Sequence, residues 1–344
     1  GAITNSNKVK TITVSTSTAS GAATLGAMAD ADDLTSVTLT AVNANIGTGT
    51  IGATGSDAND LDTITISASG GATATLGTIW GDSTDSTTET TATMTLTADT
   101  SSTVVLGAVT MDYGAVNLTA SGAGNFTLGT ADSTTAGFLI GEDSTFDLSA
   151  ATGTNYLNLV NQVTATSTVT LASEGGTDNI YFEDQMGSSD TIVIKNFETG
   201  TGGDVLHIDG SAVGGGATDG ADAAAAATGE STEISTGTTL ASTDSLLILT
   251  GEVYATTALV DAALETGGSR VITTGGIVDI GDDILVLWSD GSNSYLGFLD
   301  IGDTAVASGA KILANKSSIT TLVELTGVDV STSGTFTDAN YDIF

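Results

Sequence analysis

From the N-terminus to about residue 172, apolar and polar residues alternate with a period of two, strand after strand. The recurring cores are Ile12-Thr13-Val14, Val37-Thr38-Leu39, Ile64-Thr65-Ile66, Met94-Thr95-Leu96, Val116-Asn117-Leu118, Phe146-Asp147-Leu148 and Val169-Thr170-Leu171. Their first residues lie 25, 27, 30, 22, 30 and 23 positions apart. A second, shorter strand follows in most copies and ends in Leu-Gly, at Leu25-Gly26, Leu76-Gly77, Leu106-Gly107 and Leu128-Gly129. From Val14, Ile66, Leu96 and Leu118 to that Leu the step is 11, 10, 10 and 10. The variable length therefore falls in the acidic connections, such as Gly81 to Thr91. A fixed step between two strands plus a variable loop predicts one coil of a β-solenoid, roughly 20–30 residues per turn. An antiparallel sandwich also has regular short strands, but its strands need not resemble one another, and these do. The fold class expected for residues 1–172 is a mainly β, right-handed parallel β-solenoid.

The acidic connections are themselves repeated. Asp30-Ala31-Asp32-Asp33-Leu34 ahead of one strand is echoed by Asp57-Ala58-Asn59-Asp60-Leu61-Asp62 ahead of the next. Two or three carboxylates at one turn suit the six to eight oxygen ligands of Ca²⁺, which makes Asp30, Asp32, Asp33, Asp57, Asp60 and Asp62 candidate metal ligands; a solvated acidic loop is the alternative. Residues 173–210 read differently. Three times a Gly-rich stretch is followed by Asp and an aliphatic strand: Gly176-Thr177-Asp178-Asn179-Ile180, Gly187 to Ile194 around Asp190, and Gly202-Gly203-Asp204-Val205-Leu206 with Asp209 beyond it. Glycines permit tight turns, and turn carbonyls with a carboxylate can surround Ca²⁺. The first and third segments fit the G-x-D-x-U part of the Ca²⁺-binding nonapeptide repeat, without the full nonapeptide and without tandem copies. Gly176, Asp178, Asp190, Gly202, Asp204 and Asp209 are thus the second set of candidate ligands; an Asp-Gly surface turn is the alternative for any one of them.

Residues 211–230 are a Gly/Ala-rich linker or loop, with Gly214-Gly215-Gly216 and then Ala223 to Ala227. Residues 231–344 predict a small α+β C-terminal domain. Leu246 to Leu249 reads as a buried strand. Thr256 or Thr257 caps a helix with Leu259, Val260, Ala263 and Leu264 on one face, stopped by Gly267-Gly268. Ile284 to Trp288 and Tyr295 to Leu299 flank a hairpin turn at Asp290-Gly291-Ser292-Asn293. Leu322 to Leu325 is a late strand.

Charge adds a constraint. The chain has 41 Asp and Glu against 6 Lys and Arg, a net charge of -35, yet 40% of its residues are hydrophobic. A disordered acidic tail would be poor in Val, Ile and Leu, so the charge sits on a folded surface and opposes its compaction. Bound divalent cations would relieve that repulsion; halophilic adaptation is the plainer account. Nucleic acid is excluded as a partner, since a polyanion repels phosphate. No apolar run is long enough to span a membrane, and the first residues carry no basic stretch followed by an apolar one. Without Cys there is neither a disulfide nor thiolate chemistry.

Candidate catalytic groups are sparse. There is one His, His207, on the outward side of a strand pattern, and neither H-E-x-x-H nor G-x-S-x-G occurs. Carboxylate pairs for glycoside hydrolysis stay open in so acidic a chain, but aromatic residues for a sugar platform make up only 5%. The expectation is that the protein is not an enzyme. The Thr-x-Thr strands suggest a hydroxyl ladder that could order water, or simply the preference of Thr for solvent-facing strand positions.

Residues 175–209 resemble the RTX-type proteins exported by bacterial type I (ABC-transporter) systems, through Asp190-Thr191-Ile192, Asn196-Phe197 and Gly200-Thr201-Gly202-Gly203-Asp204-Val205-Leu206. Leu285 to Gly291, Leu322 to Val330 and Asn340 to Phe344 are similar to the C-terminal region of S-layer proteins of this class. The resemblance implies RTX-like coils at 173–210, Ca²⁺ as cofactor and a C-terminal secretion signal read by an ABC exporter. It also implies a secreted, cell-surface location and a partner that is the chain itself, with cell-surface polysaccharide as a further one. The expected function is an extracellular structural protein that self-assembles into a Ca²⁺-dependent surface lattice. An adhesin or filament-forming appendage subunit, and a polysaccharide-active β-helix enzyme, are the alternatives.

Overall fold

The computed structural model describes residues 8–18, 21–29, 31–53, 58, 60–81, 91–111, 114–129, 137–162, 166–183, 191–208, 230–239, 244–273, 283–300, 311 and 318–343. The chain is mainly β and forms two compact units, Gly1–Glu183 and Asp184–Phe344.

The first unit is a parallel β-solenoid of about six turns. Its coils supply, in order, β1 (Thr11–Thr16) and β2 (Ala23–Leu25); β3 (Ser36–Val42) and β4 (Ile46–Thr48); β5 (Thr63–Ser69), β6 (Thr73–Leu76) and β7 (Ile79–Trp80); β8 (Thr91–Ala98), β9 (Thr103–Leu106) and β10 (Val109–Met111); β11 (Ala115–Gly122), β12 (Asn125–Leu128) and β13 (Phe138–Ile140); β14 (Thr145–Ala151) and β15 (Asn155–Gln162); then β16 (Thr166–Thr170) and β17 (Asp178–Glu183). One sheet runs β1-β3-β5-β8-β11-β14-β16, and a second runs β2-β4-β6-β9-β12-β15-β17, each pair parallel. All seven sequence cores lie on the first sheet, where Ile12, Val37, Ile64, Met94, Leu118, Phe146 and Val169 form one buried column. Burying such a side chain contributes about 1.5–3 kcal/mol, available only once the next coil covers it.

Two features differ from the sequence reading. Met94 pairs with Leu118, two residues beyond Val116, so the core spacings of 22 and 30 become 24 (94 to 118) and 28 (118 to 146). A shift of two leaves every side chain on its own face, which is why the apolar pattern cannot distinguish the registers. There is also a third, narrow face. Met28, Ile51, Ile79, Val109, Phe138 and Leu159 form a further buried column carried by isolated bridges and by β7, β10, β13 and the second half of β15. Its strands are two or three residues long, too short for periodicity to register. β15 covers both the second and third faces, because its first half pairs with β12 and its second half with β13.

The Leu-Gly signal marks the corner after the second face. Leu76, Leu106, Leu128 and Leu157 are in register and buried. At the next position a Cβ on Gly77 would come within 2.7 Å of the Gly49 carbonyl oxygen, and one on Gly107 within 2.9 Å of the Gly77 carbonyl carbon. The backbones of successive coils touch there, so only glycine fits.

The second unit contains β18 (Thr191–Lys195), β19 (Val205–Ile208), β20 (Glu230–Ile234), β21 (Thr238–Thr239), β22 (Asp244–Leu249), α1 (Thr257–Leu264), β23 (Ile272–Thr273), β24 (Asp283–Ser289), β25 (Ser294–Asp300), β26 (Ser318–Thr326), a 3-10 turn (Asp338–Asn340) and β27 (Tyr341–Ile343). Its main sheet runs β18-β26-β25-β24-β22-β20, parallel except where the hairpin β24–β25 and the β25–β26 pair are antiparallel. The hairpin forms where the sequence places it. Asp290 Oδ1 accepts from the Ser292 and Asn293 amides, both at 2.8 Å, which fixes the turn. Thr256 caps α1 by accepting from the Leu259 amide at 3.3 Å. Val260, Ala263 and Leu264 face the core with Leu247, Val286 and Trp288. Leu259, expected on that face, is 53% exposed, because one residue before Val260 on a helix points about 100° away.

The broad sheets differ from the turns in charge. Across β1, β3, β5, β8, β11, β14 and β16, Asp147 is the one charged residue. The outward positions form columns such as Thr13, Thr38, Thr65, Thr95, Thr119, Asp147 and Thr170.

Candidate cation sites

The two acidic turns are built on their apolar residues. Ala31 and Leu34 in one, and Ala58 and Leu61 in the other, are each 1% exposed. The Leu34 amide donates to the Ala31 carbonyl at 2.9 Å, and the Leu61 amide to Ala58 at 3.0 Å. This turn seats two core side chains and leaves Asp32 and Asp60 facing outward. Asp32, Asp60 and Asp62 are exposed and Asp33 is half-buried. Asp30 and Asp57 lie outside the described residues, as do Asp190 and Asp209. The Asp62 backbone joins the ladder, donating to Thr35 and accepting from Thr93.

The two G-x-D-x-U segments share a different geometry. Asp178 and Asp204 are 1% and 2% exposed. Asp178 pairs in register with Asn155 of the preceding coil and accepts from its Nδ2 at 2.6 Å. Asn155 Nδ2 also donates to the Ala151 carbonyl at 3.0 Å. Asp204 Oδ2 accepts from the Glu198 amide at 2.8 Å and its own amide donates to the Glu198 carbonyl, which closes the Gly-rich turn. The glycines have separate duties. Gly202 has φ +84° with nothing near its Cβ position, whereas a Cβ on Gly176 would sit 2.5 Å from the Gly153 carbonyl oxygen. Among the described residues, no three His, Cys, Asp or Glu side chains come together as a metal-binding group.

Polar side chains at the corners bridge one coil to the next, and these were missed in the sequence. Asp99 accepts from the Ser102 hydroxyl and from the Gly70 amide of the previous coil. Those two donors hold its carboxyl below the usual range. Asn45 Oδ1 accepts from Thr73, Asn125 Oδ1 from Thr154, Asp143 Oδ1 from Thr166 and Ser144 Oγ from Val116, at 2.8–3.1 Å. The available signal is an Asn or Ser just before or at the first residue of a strand, as in Asn45-Ile46, Asn125-Phe126 and Ser144-Thr145.

In the second unit, Arg270 is 6% exposed, donates to the Thr250 carbonyl at 3.1 Å and lies 3.6 Å from Glu252. Tyr254 and Ser269 donate to that same Glu252 carboxylate and depress its pKa. His207, expected to face outward, keeps only 14% of its side chain exposed and sits 3.2 Å from Asp342 on β27. Burial pushes its pKa down, against the opposing pull of Asp342.

Together these features define a protein built on a parallel β-solenoid. No family model, curated protein or solved structure matches the chain. Among the described residues, no helix is long and apolar enough to cross a membrane.

Proposed function

We propose that the protein is an extracellular structural protein that assembles with copies of itself into a cell-surface lattice, with Ca²⁺ neutralising its carboxylates. The observation that carries this reading is the separation of chemistry on the first unit. Its broad sheet is an array of hydroxyls with one charge, Asp147, while acidic residues crowd the turns at its sides. An uncharged face can pack against another copy without desolvating ions. The acidic turns repel their equivalents on a neighbour until cations intervene. Secretion by an ABC exporter, and Ca²⁺ binding at the Gly-rich turns, belong to the same reading and rest on the resemblance to RTX-type and S-layer proteins.

Electron microscopy of the purified chain with Ca²⁺ and with chelator tests it. Sheets that form in Ca²⁺ and disperse in chelator are expected. Dispersed single particles under both conditions would overturn it, and fibres would favour the filament-subunit alternative.

A further inference from the structure

Asn340 is fully buried and sits in a loop 140 residues away in sequence. Its Nδ2 points at three main-chain carbonyls of the Glu198–Asp204 loop: Glu198 at 3.4 Å, Gly200 at 3.3 Å and Asp204 at 3.0 Å. Its Oδ1 accepts from the Gly200 amide at 2.7 Å. An amide nitrogen carries two protons and meets three acceptors here, two of which, the Glu198 and Gly200 carbonyls, also accept from the Asp204 and Gly203 amides within the turn. Oxygens that converge on one point, with a buried carboxylate in the same turn, are the surroundings of a hard cation. For Ca²⁺ they would have to close to about 2.3–2.6 Å; in this chain a nitrogen stands among them instead.

The residues around Asn340 hold it there. Phe336 stacks on Phe197 at 6.1 Å and on Tyr341 at 6.3 Å. Thr337 and Asn340 form a reciprocal capping box. β27 then pairs in parallel with β19, Leu206 opposite Tyr341 and His207 opposite Asp342.

We propose that the Asn340 amide occupies the place of a divalent cation in the Glu198–Asp204 loop, so that the docked amide and a cation in that loop exclude one another. The Gly200–Asp204 turn is then closed by the chain's own C-terminal segment and needs no metal. This goes beyond the lattice reading, because it removes one loop from the set of Ca²⁺ sites that reading invokes.

Peptide-resolved hydrogen exchange on the full chain tests the latch, with Ca²⁺ and with chelator. In the unaltered protein, protection of peptides covering 198–208 and 336–343 should be the same in both. Asn340→Asp sets a carboxylate against three carbonyls. Exchange in both peptides should rise about tenfold or more in chelator, and Ca²⁺ should restore it. Asn340→Ala should lose the same protection, with Ca²⁺ recovering the loop peptide but not 336–343. The proposal is overturned if chelator alone opens the unaltered loop, if Ca²⁺ fails to restore the Asp variant, or if both variants exchange like the original. Peptides from the first unit report any global unfolding, in which case the Ala variant decides. Failure of the lattice reading shows separately, in microscopy of the unaltered protein.

Discussion

Glycine does different work at the coil corners of the first unit and at four turns of the second. In the solenoid, Gly77, Gly107, Gly153 and Gly176 have no special backbone angle, yet a Cβ on any of them would strike the backbone of the preceding coil. In the second unit, Gly200, Gly202, Gly267 and Gly327 have φ between +81° and +99°, with open space where a Cβ would go. Both kinds occur in each unit, since Gly70 and Gly71 have φ of +68° and +77° in the first and a Cβ on Gly268 or Gly297 would strike backbone in the second, but the coil corners need glycine for closeness and these second-unit turns need it for conformation. One is a stack in which each coil's backbone is the mould for the next; the other is a mixed sheet whose turns set its path. The chain's aromatic probes divide the same way, with Trp80 in the first unit and Trp288 in the second.

The largest effect expected from this contrast is in the cores. Phe146 is fully buried and meets Phe138 edge-on at 5.2 Å. Phe146→Ala should cost the first unit about 3–5 kcal/mol. Denaturant melts of variants retaining only Trp80 or only Trp288 should show the Trp80 transition move and the Trp288 transition stay. If both move together, the two units do not melt independently. Next come the glycines. Gly77→Ala should destabilise the solenoid by about 1–3 kcal/mol through overpacking. Gly267→Ala should cost about 1–2 kcal/mol through backbone strain. Replacing each by Asn, which tolerates left-handed angles but adds more bulk, should worsen the first and soften the second. Calorimetry of the four variants checks the crossing pattern.

The smallest effect is a slope with pH. His207 is the only His in the chain and lies in the second unit. Burial lowers its pKa in the fold, so the unfolded chain binds the proton more readily. Stability therefore falls as pH drops below about 6.5 and levels off beneath the lowered folded value. Asp290 and Asp329 behave differently. Asp290 is held low chiefly by the Asn293 amide and Asp329 by the Ser289 hydroxyl. Their contributions are intact above about 4 and are lost only in stronger acid. Melting of the Trp288 probe between pH 7 and 5 should show the slope, and His207→Gln should flatten it. The Trp80 probe should show none of it.

Much of the solenoid was legible because alternation needs only neighbours in sequence to declare itself. The broad-sheet cores, the Leu-Gly corners, the Asp290 hairpin and the Thr256 cap all rest on patterns within a dozen residues. What stayed hidden depended on partners one coil or more away. Val116 and Leu118 are equally good partners for Met94 until backbone pairing chooses. Ile79-Trp80 is too short to read as a strand until Ile51 and Val109 flank it. Asp178 and Asp204 read as metal ligands because Gly-x-Asp turns suit cations; their carboxylates accept hydrogen bonds from Asn155 and from the Glu198 amide. Nothing near Asn340 in sequence points to a loop 140 positions earlier.

The corner at Gly49, Gly77 and Gly107 has one further consequence, for how such a chain changes over generations. At these three corners the coils meet through the same buried columns and the same bare backbone, whereas the coil of Leu157 carries Asn158 at that position. Whole coils can therefore be duplicated or deleted in the gene without redesigning the cross-section. Each would change the length by about 4.8 Å and leave every other coil with an equivalent neighbour. A single side chain added at the corner has no such freedom. In this architecture an added coil leaves the cross-section as it was, whereas an added side chain at Gly77 or Gly107 meets backbone.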